Sequence, residues 1–365
     1  MALRLSLVAA IVAVVATFSV AGVRALRDEE GSARLGLNTH LVWAPGGSVE
    51  PVLAEIRSLG ISLVREEFPW RLIEPEQGRF DWRQTDALME AASRRGVDVL
   101  GILAYSAPWA SADPGGDDHR YPPRDPADYA RYAAAVVQRY GPAGSFWAER
   151  SDLDRRPLRA VEVWNEPWTH STWKPDPDPE AYARLVRAAT EAIRAVEPET
   201  TIAIAGDLLQ VRTDGAIVGW LTELLRADPT LPRVVDVYSV HPYPDPRTAG
   251  PLDDRDDGRW DFRRVELLRE VDDSLPVWIT EIGWSTADTD DSVSETKQAE
   301  YVEGAIRRAL GEWGDHVERV FVYSFDQDTG DRGDREGNYG LRREDGTLKP
   351  AAAVLRELSR SPPGR

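Results

Sequence analysis

The sequence predicts an α/β fold: a (β/α)8 barrel of the TIM type, forming one domain behind an N-terminal hydrophobic segment. Three observations predict it. Short apolar runs alternate with longer amphipathic segments eight times between Ala33 and Leu358. Eight parallel strands, each followed by a helix, close most simply into a barrel. Polar and ionisable residues stand at the C-terminal ends of those runs. The rival, a doubly wound sheet, needs a Gly-rich phosphate turn after its first strand, and none is present.

The elements follow in order. Leu35-Gly36-Leu37 is a first strand leading to Asn38 and His40. Val52, Leu53, Ile56 and Leu59 share one helical face, and Gly60 stops that helix. Ile61 to Val64 is the second strand, ending at Arg65-Glu66. Asp86 to Arg95 is a helix closed by Gly96. Val97 to Leu103 is the third strand, leading to Tyr105 and Trp109. Asp125-Pro126 and Asp178-Pro179 each open a helix, since Asp caps well and Pro suits the first helical turn. Between them lies the strand Ala160 to Trp164. Thr201 to Ala205 is the fifth strand and Ile217 to Ala227 a helix. Val234 to Val240 is the sixth strand, followed by a helix near Phe262 to Val271. The run Pro276 to Trp284 is the seventh strand. Ser292 and Glu295 fit a capping box for the helix running through Leu310. Val317 to Phe325 is the eighth strand and Pro350 to Leu358 the last helix. Long strand-to-helix loops fall near 104–124, 244–261 and 326–340.

The composition narrows the function classes. A net charge of −18 argues against nucleic acid and anionic lipid as partners. It also disfavours a polyanionic substrate unless a local basic cleft overrides it. The absence of cysteine removes disulfides and thiolate chemistry. Thirteen tryptophans is a high count, to which both core packing and sugar stacking contribute. Residues 5–23 form an apolar run after Arg4, with Val23-Arg24-Ala25 beyond it. A cleaved signal peptide or a retained membrane anchor over 1–25 both fit. Either places the body outside the cytoplasm, secreted or membrane-anchored. Residues 26–33 are a linker, 34–360 the domain and 361–365 a tail.

The chemistry concentrates at the strand ends. Val161-Glu162-Val163-Trp164-Asn165-Glu166-Pro167-Trp168 is an apolar strand ending in an amide and a carboxylate between tryptophans. Pro276-Val277-Trp278-Ile279-Thr280-Glu281-Ile282-Gly283-Trp284 repeats that design. With His40, Arg65, Tyr105, the His241-Pro242-Tyr243 stretch and Phe325-Asp326 at the other strand ends, the set is richer than packing requires.

These residues resemble a clan A glycoside hydrolase. Trp164-Asn165-Glu166-Pro167 and Thr280-Glu281-Ile282-Gly283-Trp284 match the clan's acid/base motif after strand 4 and nucleophile motif after strand 7. Arg65 and His241-x-Tyr243 match its supporting residues. Trp70, Glu74-Pro75, Gly78 and Phe80-Asp81-Trp82 resemble the loop after strand 2 in family 39. The resemblance spans Arg34 to Leu358. Family 5 cellulases, family 39 xylosidases and family 39-like exopolysaccharide enzymes all remain open. One departure is Phe325, where clan members often carry a tryptophan at the end of strand 8.

The resemblance implies a retaining β-glycosidase with Glu281 as nucleophile and Glu166 as acid/base, acting on a polysaccharide or oligosaccharide. Retention needs two carboxyls about 5–5.5 Å apart, one protonated and one ionised. Arg65 and Tyr243 would keep Glu281 charged, which leaves Glu166 with the raised pKa. Asn165 would hydrogen-bond the sugar 2-hydroxyl. Trp43, Trp70, Trp109, Trp168 and Trp284 are stacking candidates, with packing as the alternative for each; Phe325 could also stack. The mechanism needs no cofactor. There is no H-E-x-x-H, 253–258 lacks EF-hand ligand order because Arg255 takes a ligand position, and the acidic run 326–336 reads as a solvated loop, so no metal is expected. The rivals are a non-hydrolytic carbohydrate-binding barrel and a transglycosylase. The oligomeric state is not legible.

Overall fold

The computed structural model describes residues 33–44, 49–116, 118–208, 210–213, 216–253, 261–326, 329–361 and 363. The expected signal or anchor and nearly all of the linker lie outside them. Among the described residues, no helix is long and apolar enough to cross a membrane.

Eight strands form the barrel: β1 (Leu35–Asn38), β2 (Leu63–Pro69), β3 (Asp98–Ala104), β4 (Ala160–Val163), β5 (Thr201–Ala205), β6 (Val237–Val240), β7 (Val277–Ile282) and β8 (Val317–Val322). Each pairs in parallel with its sequence neighbour, and β8 closes on β1 through Leu35 opposite Val320. A helix follows each strand: α1 (Val49–Ser58), α2 (Arg83–Arg95), α3 (Pro126–Tyr140), α4 (Pro179–Val196), α5 (Trp220–Ala227), α6 (Arg264–Leu267), α7 (Glu295–Arg307) and α8 (Pro350–Arg360). This is the (β/α)8 barrel that the alternation predicts.

The helices form where periodicity and capping agree. In α4 the stripe Leu185, Val186, Ala189 and Ile193 is buried to 1% exposure or less, and Asp178 Oδ1 accepts from the Ala181 N–H at 2.8 Å. Asp125 caps α3 through the Ala127 N–H at 2.9 Å. Gly96 ends α2 at φ +65°, where its N–H donates back to the Ala92 and Ser93 carbonyls.

Three local expectations need correction. Ala216–Gly219 is not helical; it pairs antiparallel with Gln210–Thr213, and α5 begins only at Trp220. The sequence carries Asp214-Gly215 between those strands, a favoured hairpin dipeptide. The cap of α7 is Ser294, whose hydroxyl accepts from the Lys297 N–H; Ser292 bonds Thr289 instead. The helix after β6 is a single turn that tightens into a 3-10 turn over Leu268–Glu270.

Candidate active site

The barrel interior is polar where β1, β2, β4, β6 and β7 converge. Arg65 on β2 is 1% exposed and sits at the hub. Its Nε donates to Glu162 Oε2 at 2.7 Å, and Nη1 donates to Glu281 Oε1 at 2.6 Å and Asn38 Oδ1 at 2.9 Å. Nη2 donates to Asn165 Oδ1 at 2.7 Å. Glu162, 2% exposed, also accepts from Ser239 at 2.8 Å. A buried guanidinium is tolerated only when paired and hydrogen-bonded in this way. Burial opposes its charge, and the charges of Glu162 and then Glu281 more than offset that.

At the end of β4 the chain turns through two left-handed residues, Trp164 at φ +66° and Glu166 at φ +47°. Such angles are uncommon for bulky residues and need support from the surroundings. Trp164 supplies it. Its ring is fully buried against the edges of Tyr105 and Trp173, and its Nε1 donates to the Thr172 carbonyl at 2.9 Å. Asn165 and Glu166, neighbours in sequence, thereby both line one cleft. Asn165 Nδ2 donates to the Tyr105 hydroxyl at 3.1 Å, which leaves one amide hydrogen for a ligand.

Glu281 ends β7 with both oxygens held: Oε1 by Arg65, and Oε2 by the Tyr243 hydroxyl at 3.1 Å. Burial, then the charge of Glu281, pushes the Tyr243 hydroxyl well above its usual range, so it stays a donor. His241 is fully buried behind Glu166, with Nδ1 at 2.8 Å from Glu166 Oε1 and 3.7 Å from Glu281 Oε2. One donor atom each of Glu166, His241 and Glu281 lies within 4.8 Å of the others.

The pKa shift of Glu166 runs opposite to the sequence expectation. Burial would raise the Glu166 carboxyl, but the hydrogen bond from His241, and then the charges of His241, Arg65 and Arg247, outweigh it and hold Glu166 below its usual range. Burial would lower His241, but the charge of Glu281 and then the bond to Glu166 raise it. Glu166 is thus drawn toward its ionised form and His241 toward its protonated one. The sequence places no histidine beside Glu166, which is why the expectation assigned the raised group to Glu166.

The cleft above these groups has a volume of about 1890 Å³. His40, Arg65, Tyr105, Asn165, Glu166, Trp168, Tyr243 and Glu281 all line it, as expected, and so does His170. Trp168 also packs edge-on against His241 at 5.3 Å. Five expected substrate contacts are not in the cleft: His241, buried behind Glu166, and four aromatics. Trp70 is fully buried, stacked on Tyr132, and donates to Glu74 at 2.7 Å. Trp109 donates to the Glu74 carbonyl at 2.8 Å and packs on Trp70. Trp284 is 1% exposed and donates to the Ala249 carbonyl at 2.9 Å. Phe325 is fully buried. Each of the three indoles has its N–H satisfied by protein, the arrangement of a packing residue. Trp43 is exposed, with its N–H on Glu67 at 2.6 Å, and does not line the cleft.

Sequence reasoning missed several contributors. The aromatic that strand 8 presents to the cleft is Tyr323, two residues before Phe325, with Tyr339 beside it at 5.5 Å. Glu162 escaped notice inside an apolar run, although a lone carboxylate in a buried strand is itself a signal. Asn38 and Glu67 stood at strand ends without an assigned role.

The sequence of the chain matches, over residues 27–313, the model of a family described as cellulase (glycosyl hydrolase family 5). The chain belongs to that family. It is a glycoside hydrolase of clan A, as the motifs imply. Its backbone is similar to a family 39 glycoside hydrolase from Bacteroides cellulosilyticus WH2, with 21% identity and a TM-score of 0.64, over 90% of this chain and 64% of that one. It is similar also to a GH5_18 protein of Bifidobacterium longum subsp. longum solved with Manb1-4GlcNAc, at 16% identity and a TM-score of 0.63, covering 91% and 79%. A third likeness is to a family 39 enzyme of Xanthomonas axonopodis pv. citri, at 20% identity and a TM-score of 0.62, covering 91% and 67%. At such identities these structures show the fold. Among curated proteins, a β-galactosidase of Xanthomonas manihotis matches at 26% identity over 97 residues, 27% of this chain and 16% of that protein. The chain thus spans 64% of the length of the Bacteroides enzyme and 16% of the curated β-galactosidase.

Proposed function

We propose that the protein is a retaining β-glycosidase that cleaves an extracellular polysaccharide or oligosaccharide by double displacement. One observation carries the reading: a carboxyl oxygen of Glu166 and one of Glu281 lie within 4.8 Å across the cleft. Retaining pairs stand roughly 5–5.5 Å apart, whereas inverting pairs need about 6.5–9.5 Å to admit a water.

Glu281, oriented by Arg65 and Tyr243, attacks the anomeric carbon. The bond to the leaving oxygen breaks as Glu166 delivers its proton, and a glycosyl ester forms on Glu281. His241 Nδ1, 2.8 Å from Glu166 Oε1, orients that carboxyl toward the leaving oxygen. Glu166, ionised again, then takes a proton from water, which attacks the ester carbon and frees the sugar. The remaining Asn165 hydrogen meets the 2-hydroxyl, a contact that strengthens in the oxocarbenium-like transition state. The cleft takes its walls from the loops after β1, β4, β6, β7 and β8 and from α5, long enough for several sugars, which favours cutting within a chain. The apolar run at 5–23 supports a site of action outside the cytoplasm.

The test is reducing-sugar release from β-glucans, xylans, mannans, galactans and microbial exopolysaccharides by wild type and Glu281→Ala. We expect one polymer class to be cut by wild type alone. A variant as active as wild type would remove Glu281 from the mechanism. Binding without cleavage by wild type would favour a carbohydrate-binding barrel. N-terminal sequencing of the protein from fractionated cells tests its location.

A further inference from the structure

Arg247 stands in the loop after β6, half-buried and lining the cleft. Its Cζ lies 4.9 Å from the centroid of the Tyr243 ring, whose hydroxyl binds Glu281. Every other cation of the cleft has a carboxylate beside it. Arg65 has Glu162 and Glu281, Arg226 has Glu223 at 3.1 Å and Arg335 has Asp291 at 3.0 Å. His40 has Asp326 at 3.9 Å, and His170 has Asp176 at 3.3 Å. Among the described residues Arg247 is the one cleft cation with no carboxylate in ion-pair contact, although its charge reaches Glu166. Carboxylates are not scarce, since the chain holds 62 acidic residues against 44 lysines and arginines. A half-buried guanidinium with no carboxylate in contact is a ready partner for one that a ligand brings.

We propose that Arg247 binds a carboxylate carried by the substrate, so that the enzyme acts on a glycan containing uronic acid or another acid-bearing sugar. The inference rests on the glycosidase reading of the same cleft. Its reach follows from the contacts. The guanidinium lies 4.9 Å from the Tyr243 ring and the Tyr243 hydroxyl 3.1 Å from Glu281, so the acidic group belongs to a sugar close to the cleaved bond. The planar fork matches a carboxylate through two parallel hydrogen bonds, and the Tyr243 face keeps the fork from turning away. The cleft also carries the acids Glu67, Asp176, Glu180 and Asp245. It therefore suits one acidic sugar among neutral ones rather than a continuous polyanion, consistent with the overall charge.

The test uses glucuronoxylan, hyaluronan and glucuronate-bearing exopolysaccharides, each beside its carboxyl-reduced form, in which the acid becomes a primary alcohol and the linkage is kept. Wild type should cut at least one acidic polymer tenfold or more faster than its reduced form. Arg247→Gln should bring that ratio close to one, and Arg247→Lys should restore part of it. A ratio that Arg247→Gln leaves unchanged, or a wild type that prefers the reduced forms, overturns the proposal. Equal loss on both forms also overturns it, since Arg247 would then serve the glutamates and not the substrate. Calorimetric binding of acidic and reduced oligosaccharides to Glu281→Ala, with and without Arg247→Gln, needs no turnover. Arg247-dependent binding of the acidic form without cleavage by wild type would sustain this inference and sink hydrolysis. Cleavage of neutral polymers without such binding would do the reverse. A sulfated oligosaccharide in the same titration separates a carboxylate site from a general anion site, and tighter sulfate binding counts against the proposal.

Discussion

Glu166 and Glu281 are chemically the same side chain, and their neighbours divide the labour. Glu281 meets a fixed cation and a phenol; Glu166 meets an imidazole that shares its proton. If Glu166 is the acid, its loss should depend on the leaving group. Glu166→Ala is expected to slow polymer cleavage by roughly 10²–10⁴-fold, the usual worth of a general acid. A dinitrophenyl glycoside needs no proton on departure, so its first step should be nearly spared and a glycosyl-enzyme should accumulate. Burst kinetics would show this. Equal slowing of both substrates would mean that Glu166 does something other than donate a proton.

At the scale of elements, capping decided where several helices begin. Asp178→Ala removes the side-chain acceptor at the start of α4, and should cost about 1 kcal/mol of stability. A denaturant titration should show that loss as a lower midpoint with the slope unchanged. What the sequence made legible at this level was periodicity joined to Asp-Pro starts and Gly stops. What it hid was pairing. Ala216–Gly219 has residues suited to either state, and only the partner strand Gln210–Thr213 settles it. Ser292 and Ser294 both precede α7, and a spacing of two residues is below what pattern alone resolves. At the site, the two glutamates, Arg65 and the His241-x-Tyr243 pair were legible because strand ends collect chemistry. The tryptophans were not. Trp70 and Trp168 look alike in sequence, and only the satisfied indole of Trp70 shows that it packs. Tyr323 was displaced by its neighbour Phe325 for the same reason: which of two nearby aromatics faces the cleft depends on where β8 ends.

Across the whole molecule, charge sets the pH range of stability. Burial pushes Glu66 up to about 8, against the nearby His40 charge and the bonds from Thr39 and Leu41. Burial opposes the His40 charge, but Asp326, Glu66 and Glu67 outweigh it and raise His40 to about 9. Both groups hold protons in the folded state that they would release when unfolded. The Glu66 contribution is complete below its ordinary value of 4.5 and is lost as pH rises through about 8. The His40 contribution is complete below 6.5 and is lost through about 9. Carboxylates paired with arginine act oppositely: Glu90, held down to about 2 chiefly by the hydrogen bond from Arg150, loses its contribution as pH falls. The melting temperature should therefore peak in mildly acidic buffer and decline between pH 6.5 and 9. His40→Gln should flatten the decline. A profile level across that range, or identical in the variant, would contradict the arrangement.

The Arg65–Glu162 contact has a consequence in time as well as in space. Its partners are 97 residues apart, and the Arg65–Glu281 contact joins residues 216 apart. The first needs only β2 and β4, joined through β3, whereas the second cannot form until β2 and β7 share one closed ring, and loops of that span close late. Until then the Glu281 carboxylate faces an interior that cannot accept it singly. Closure of the ring and neutralisation of the hub are thus one event, late on the folding path. Glu281→Ala should accelerate unfolding while hardly changing the rate of folding, the signature of a contact absent from the transition state. The residues that prepare the chain for chemistry would then also be the latch that keeps the ring from reopening.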